Sequence, residues 1–152
     1  MNTKIEYIST HRVATIRRVG CYGEENGETM ERLKRWAHVN DLMDDEAIIL
    51  GIAHDDPSIV LPKDCRYDTC LVIEDFAITG DVQEGRVVGG RYFVATIDHT
   101  AEAMKEAWMH IHEEVTNQGY QMDMSRPIME RYTAMKVKAH QCELCIPIVG
   151  DD

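Results

Sequence analysis

Two carboxylates near the end of the chain occupy places where a carboxylate needs a reason. Glu143 stands inside the apolar run Cys142-Glu143-Leu144-Cys145-Ile146. Burying a bare charge is costly unless a partner or a function offsets it. Glu130 precedes Tyr132 by two positions, so on a strand the two share a face and form an acid–aromatic pair. Such groups can hold a neighbouring Arg, Tyr or backbone group, or attract a cation. In apolar surroundings that raise the carboxyl pKa, they can also serve as a general base toward a positioned water. Aromatic faces beside the acid add about 0.5–2 kcal/mol each toward a cation.

Metal chemistry has weaker support. His140, Cys142 and Cys145 lie close in sequence, with His110 and His112 upstream. Cys142 and Cys145 differ by three positions in a strand and face opposite sides. No second C-x-x-C pair completes a zinc set. His110 and His112 differ by two on a helix and share no face. No metal and no cofactor is expected. Gly89-Gly90 precedes a strand, not a helix, so it is no phosphate loop.

The stretch that carries both acids, RPIMERYTAMKVKAHQCELCIPI from Arg126 to Ile148, reads as two strands joined by a polar turn around Lys138 to Gln141. Ahead of it the elements alternate. Residues 4–19 form a strand or a bent pair of strands, ended by Gly20 and Gly23. A helix is predicted over 28–42, with an apolar stripe of Met30, Leu33, Trp36, Ala37 and Val39. Strands follow at 47–53 and 67–73. Residues 74–90, with four glycines, read as an acidic connector with a turn. Tyr92 to Ile97 is a strand. Thr100 caps a helix over 101–118 that carries Met104, Ala107, Trp108, Ile111 and Val115 on one face.

Strand, helix, strand, strand therefore occurs twice. Trp36 and Trp108 hold matching helix positions, and Asp68 and Glu143 hold nearly matching positions in the closing strands. The order predicts an α+β fold of duplicated βαββ halves, about 1–78 and 86–150, in one domain spanning 1–152. Two halves too small to bury their helices alone would join one sheet with two helices against it. A groove should form where they meet.

The 152 residues carry a formal net charge of −11, which excludes direct nucleic-acid binding through a basic face. No apolar run could span a bilayer, and MNTKIEYIST lacks the apolar core of a signal peptide. Five cysteines without framework spacing read as reduced thiols in the cytoplasm.

RVATIRRVGCYGE, RYDTCLVIED, GGRYFVATIDHT, RPIMERY and CELCIPI fall in the order of the signature segments of the GyrI-like family, which this chain resembles along nearly its whole length. That family includes stand-alone DNA gyrase inhibitory proteins and the effector-binding domains of AraC- and MerR-type regulators. With no room for a DNA-binding domain, this chain resembles the stand-alone members. The resemblance implies pseudo-two-fold symmetry, an antiparallel sheet and a central ligand groove. Thr100 replaces the glycine that commonly follows the family's histidine, here His99.

Carried over to this chain, the resemblance implies that Glu143 is the acid receiving flat cationic or polyaromatic molecules. Trp108, Tyr92 and Tyr132 are then the aromatic walls, and Glu130 is a second acid. The methionines, Met122 and Met124 among them, suit an adaptable pocket. Three functions follow. The first is binding of a hydrophobic, aromatic or cationic small molecule, for drug or toxin resistance. The second is hydrolysis of the cyclopropane of DNA-alkylating natural products, with Glu143 and Glu130 activating water. The third is inhibition of DNA gyrase through the acidic clusters Asp41-Asp44-Asp45-Glu46 and Asp55-Asp56.

Overall fold

Alternating apolar positions in strands and three-to-four spacing in helices sort the chain onto the two faces of one sheet. A computed structural model of the protein describes residues 1–23 and 25–150. Glu24, which ends the RVATIRRVGCYGE segment, and residues 151–152 lie outside the described residues. The elements in order are β1 (Asn2–Ile8), β2 (His11–Val19), α1 (Glu25–Val39), β3 (Ile48–Ala53), β4 (Arg66–Val72), β5 (Gln83–Val87), β6 (Gly90–Asp98), α2 (Ala101–Asn117), β7 (Met129–Thr133), α3 (Ala134–Lys138) and β8 (Gln141–Pro147).

Eight strands form one antiparallel sheet in the order β1-β6-β8-β7-β3-β4-β2-β5. The order is the same from either end once β2-α1-β3-β4 is matched to β6-α2-β7-β8. The duplicated α+β architecture is thus present, with β3 and β7 paired at its centre. Each half lends an edge strand across: β1 pairs with β6, and β5 pairs with β2.

Three apolar clusters hold the sheet. On the helical face, Leu33 and Ala37 of α1 pack on Ala14, Ile49 and Leu71. Ala107, Ile111 and Val115 of α2 pack on Phe93, Leu144 and Ile146. On the other face the sheet curls until residues near both edges, among them Ile8, Val13, Val87 and Tyr92, share one cluster with Cys145. The sheet is therefore covered on both sides. The run in β8 alternates between two cores, with Cys142 and Leu144 in one and Cys145 in the other.

Thr100 caps α2 as expected, its hydroxyl accepting from the Ala103 N–H at 3.0 Å. Two elements differ from the sequence reading. The 74–90 connector contains β5, an edge strand whose QEGRV sequence offers one buried apolar side chain, Val87. The turn before β8 contains α3, a five-residue helix with no buried side chain, closed by His140 at φ 58°. Val39, placed on the apolar stripe of the first helix, is exposed.

Candidate functional site

The helical face is not covered evenly. Between α1 and α2, above the two central strands, lies a groove of about 720 Å³. This is within the range of roughly 300–1,000 Å³ typical of small-molecule sites. Tyr22 and Asn26 bound it on one side, and Trp108 and His112 of α2 on the other. Ala53, Tyr67 and Glu130 are in its floor, and Met122, Met124 and Pro127 line the segment that leads into β7.

Glu130 is aimed into this groove by strand parity. It opposes Gly51 on β3 and Leu144 on β8, whose side chain belongs to the α2 core. Tyr132, two residues on, shares that face and donates a short hydrogen bond to Glu130 Oε2. The Tyr67 hydroxyl is 3.5 Å from Oε1, a longer and weaker contact. Burial pushes the Glu130 carboxyl above its usual pKa, and the two tyrosine hydroxyls oppose that rise. Burial beside this carboxylate also raises both phenols, so Tyr67 and Tyr132 remain protonated donors. Among the described residues, no Lys, Arg or His pairs with Glu130.

Glu143 takes the opposite course. It is paired with Arg131, one residue past Glu130, and faces the other side of the sheet. Arg131 donates to Glu143 at 2.9 and 3.1 Å through Nε and Nη2, and to Glu6 at 2.8 and 2.9 Å through Nη1 and Nη2. Burial works against the Arg131 charge, but the two carboxylates outweigh it and hold the guanidinium protonated. Glu143 therefore does not line the groove, and its buried charge already has a guanidinium partner. Tyr92 also lies on the far face. It is fully buried, donates to the Val88 carbonyl at 2.9 Å and sits 4.8 Å beneath the Arg126 guanidinium.

Of the five residues singled out from sequence, the structure brings Glu130, Tyr132 and Trp108 together on the groove side and keeps Glu143 and Tyr92 apart from it. The two matched tryptophans have diverged. Trp36 packs edge-on to Phe76 at 6.0 Å and donates to the Thr79 carbonyl, under the connector that precedes β5. Trp108 has no such cover and borders the groove. Sequence reasoning missed Tyr22, His54 and Tyr67, which sit in loops or at strand ends. A Tyr opening a strand whose neighbour β3 offers Gly51 was the available signal.

The matched acid Asp68 sits on the far face, held by Arg17 Nε at 2.8 Å and Nη2 at 3.0 Å, and by His54 Nε2 at 2.7 Å. Burial alone would raise its carboxyl, but these two partners lower it to about 2. Unlike Glu143, it touches a residue that also lines the groove, His54.

Comparison with known proteins agrees with this architecture. A family model, the GyrI-like small molecule binding domain, matches residues 1–149. The "SPbeta prophage-derived putative transcriptional regulator YosT" of Bacillus subtilis (strain 168) is 41% identical over 150 residues, covering 97% of this chain and 99% of YosT. Among solved structures, the EcmrR C-terminal domain superposes with a TM-score of 0.70 at 13% identity, covering 97% of each chain. In the EcmrR–DNA complex the TM-score is 0.74 at 12% identity, and the match covers 97% of this chain but 57% of EcmrR. SAV2435 bound to tetraphenylphosphonium superposes with a TM-score of 0.64 at 14% identity, covering 99% of this chain and 95% of that one.

Proposed function

This chain belongs to the GyrI-like family of small-molecule-binding domains, and on that premise we propose that its groove captures aromatic, hydrophobic cations with Glu130 as the receiving charge. One observation carries the reading. The other two carboxylates singled out by the repeat, Glu143 and Asp68, are each met by an arginine. Glu130 is met by tyrosine hydroxyls, and it faces a groove walled by Trp108, Tyr22 and Tyr67. A carboxylate kept in apolar surroundings without a counter-ion gains when a cation arrives, and the rings add their own attraction. Met122 and Met124 give the rim a surface that adapts to differing shapes. Capture of this kind suits drug or toxin resistance, and it equally suits a part in transcriptional regulation, the role that YosT's name gives that relative.

The test is a calorimetric titration with tetraphenylphosphonium. Wild type should saturate, Glu130→Gln should bind at least about tenfold more weakly, and Trp108→Leu about 2- to 30-fold more weakly. Equal affinity of wild type and Glu130→Gln would sink the reading. A protein that binds no such cation but associates with DNA gyrase in a salt-sensitive way would favour an acidic inhibitor instead.

A second reading, hydrolysis, draws on the same residue. A carboxyl whose pKa is raised by burial is suited to general-base work on a water beside a bound electrophile. Mass spectrometry of a cyclopropane-bearing DNA-alkylating drug after incubation separates the two. Catalytic gain of one water, lost in Glu130→Gln, marks turnover; unchanged drug marks capture.

A further inference from the structure

One row of partners crosses the middle of the sheet: Thr69 on β4, Gly51 on β3, Glu130 on β7 and Leu144 on β8. Thr69 and Leu144 hold matching places in the two halves, and they differ. Leu144 is fully buried in the α2 core, an apolar side chain in apolar surroundings. Thr69 is equally buried, and its Oγ1 has no hydrogen-bond partner among the described residues. An unpaired buried hydroxyl is costly, and core packing alone gives no reason for it. Thr69 shares its face with Tyr67, two residues back on the same strand. The Tyr67 hydroxyl lies over Gly51, where a Cβ would overlap it. Gly51 stands between Thr69 and Glu130, one strand spacing of about 4.8 Å from each. The phenol is thus placed between two polar groups and well bonded to neither. It is 3.5 Å from Glu130 Oε1 and makes no bond to Thr69. Tyr132 already serves the other carboxylate oxygen, Oε2.

We propose that Thr69 is a positioning residue of the groove, which receives the Tyr67 hydroxyl when a cation takes that hydroxyl's place beside Glu130. The inference rests on the capture role given to Glu130 above. In the empty protein the phenol leans toward the carboxylate and Thr69 is unpaired. A cation beside Oε1 displaces it, because a charged contact outweighs a long contact from a neutral donor. A short swing over Gly51, which has no side chain to obstruct it, brings the phenol to Thr69, where it donates to Oγ1. The orphan hydroxyl is then satisfied in the bound state only. A ligand shifts an equilibrium by such differences between two states, so the exchange favours binding. Tyr132 remains on Oε2 and keeps the carboxylate aimed.

The test combines calorimetric titration of the full chain with tetraphenylphosphonium and thermal melting without ligand. The variants are Thr69→Val, Thr69→Ser, Tyr67→Phe and the double change Tyr67→Phe with Thr69→Val. Valine keeps the shape of threonine and removes the hydroxyl. Thr69→Val should melt higher than wild type, because the unpaired group is gone, yet bind the cation about 2- to 10-fold more weakly. A threonine with a structural role alone would not gain stability and lose affinity together. Thr69→Ser should bind as wild type does. In the Tyr67→Phe background, Thr69→Val should change affinity by less than about twofold, since the phenol that it receives is absent. Unchanged affinity in Thr69→Val, melting below wild type, or the same loss with and without the Tyr67 hydroxyl would overturn the proposal while the Glu130 reading stands. Equal affinity of wild type and Glu130→Gln, or no binding by wild type, would overturn both.

Discussion

Gly51 of β3 stands directly opposite Glu130 of β7 at the centre of the sheet. The missing side chain at 51 is what lets the Tyr67 hydroxyl lie over the strand and reach the carboxylate, since a Cβ there would overlap that hydroxyl. Gly51→Ala should therefore displace Tyr67 and remove one donor from Glu130. Overpacking of this kind costs about 1–3 kcal/mol. A lower urea midpoint with weaker tetraphenylphosphonium binding is expected; a fully stable Gly51→Ala protein with unchanged affinity would contradict the arrangement.

Glu143 was the most conspicuous acid in the sequence, and its geometry assigns it to stability. Removing one partner of a buried ion pair leaves the other uncompensated, at about 3–5 kcal/mol. Arg131 keeps Glu6 as a partner in Glu143→Ala, so the loss should fall below that scale, and the double change Arg131→Met with Glu143→Leu should recover much of it. Cation affinity of the folded protein should change little in either, as measured by titration after denaturation curves establish the folded fraction. A large, selective loss of affinity in the double variant would return Glu143 to the site.

Acid should weaken the fold through the same far-face network. Arg131, by hydrogen bonding and charge, holds Glu6 at about 2 against an ordinary value of 4.5. His54 and Arg17 hold Asp68 at about 2 against 3.8, overcoming burial. For groups depressed in the folded state, the stabilisation is present above the unfolded pKa and is lost as pH falls through the folded one. The contribution of these two groups should thus be flat above about pH 5 and be lost between about 4.5 and 2. Glu6→Gln should be less stable at pH 6 and show a shallower loss on acidification; an unchanged acid limb would show that Glu6 is not a contributor.

The sequence was read correctly where one face of an element is apolar and the other is not. The stripes of both helices, Val39 apart, are of that kind, whereas β3 and β4 were found as strands although both of their faces are buried. β5 and α3 escaped because each is short and buries one side chain or none. The face of Glu143 was hidden for a related reason. β8 is apolar on both faces because two cores sandwich it, so CELCIPI shows no alternation from which to tell the face of Glu143. Register settles it, through the pairing of Arg131 with Glu143. Glu130 and Tyr132 were legible as a pair because two-residue spacing survives any register. Tyr67 and His54 were not, since what matters for them is Gly51 opposite and Asp68 beneath.

Glu130 should stand in conflict with the stability of the empty protein. Burial raises its carboxyl pKa above 4.5, so the folded chain holds that proton more tightly than the unfolded chain does. For a group raised in the folded state, the stabilising contribution is present below the unfolded pKa and is lost as pH rises through the folded one. At neutral pH the carboxylate therefore opposes folding. Glu130→Gln should melt higher than wild type at pH 8, with the gap narrowing at pH 4. Binding has the opposite sign, because only the ionised carboxylate attracts a cation. In wild type the increase in melting temperature with tetraphenylphosphonium should be larger at pH 8 than at pH 5, and saturating ligand at 100 times Kd contributes about 2.7 kcal/mol. In Glu130→Gln that increase should be small and independent of pH. A Gln variant that melts lower than wild type at pH 8 would show that the carboxylate is structural, held by its tyrosines as Glu143 is held by Arg131.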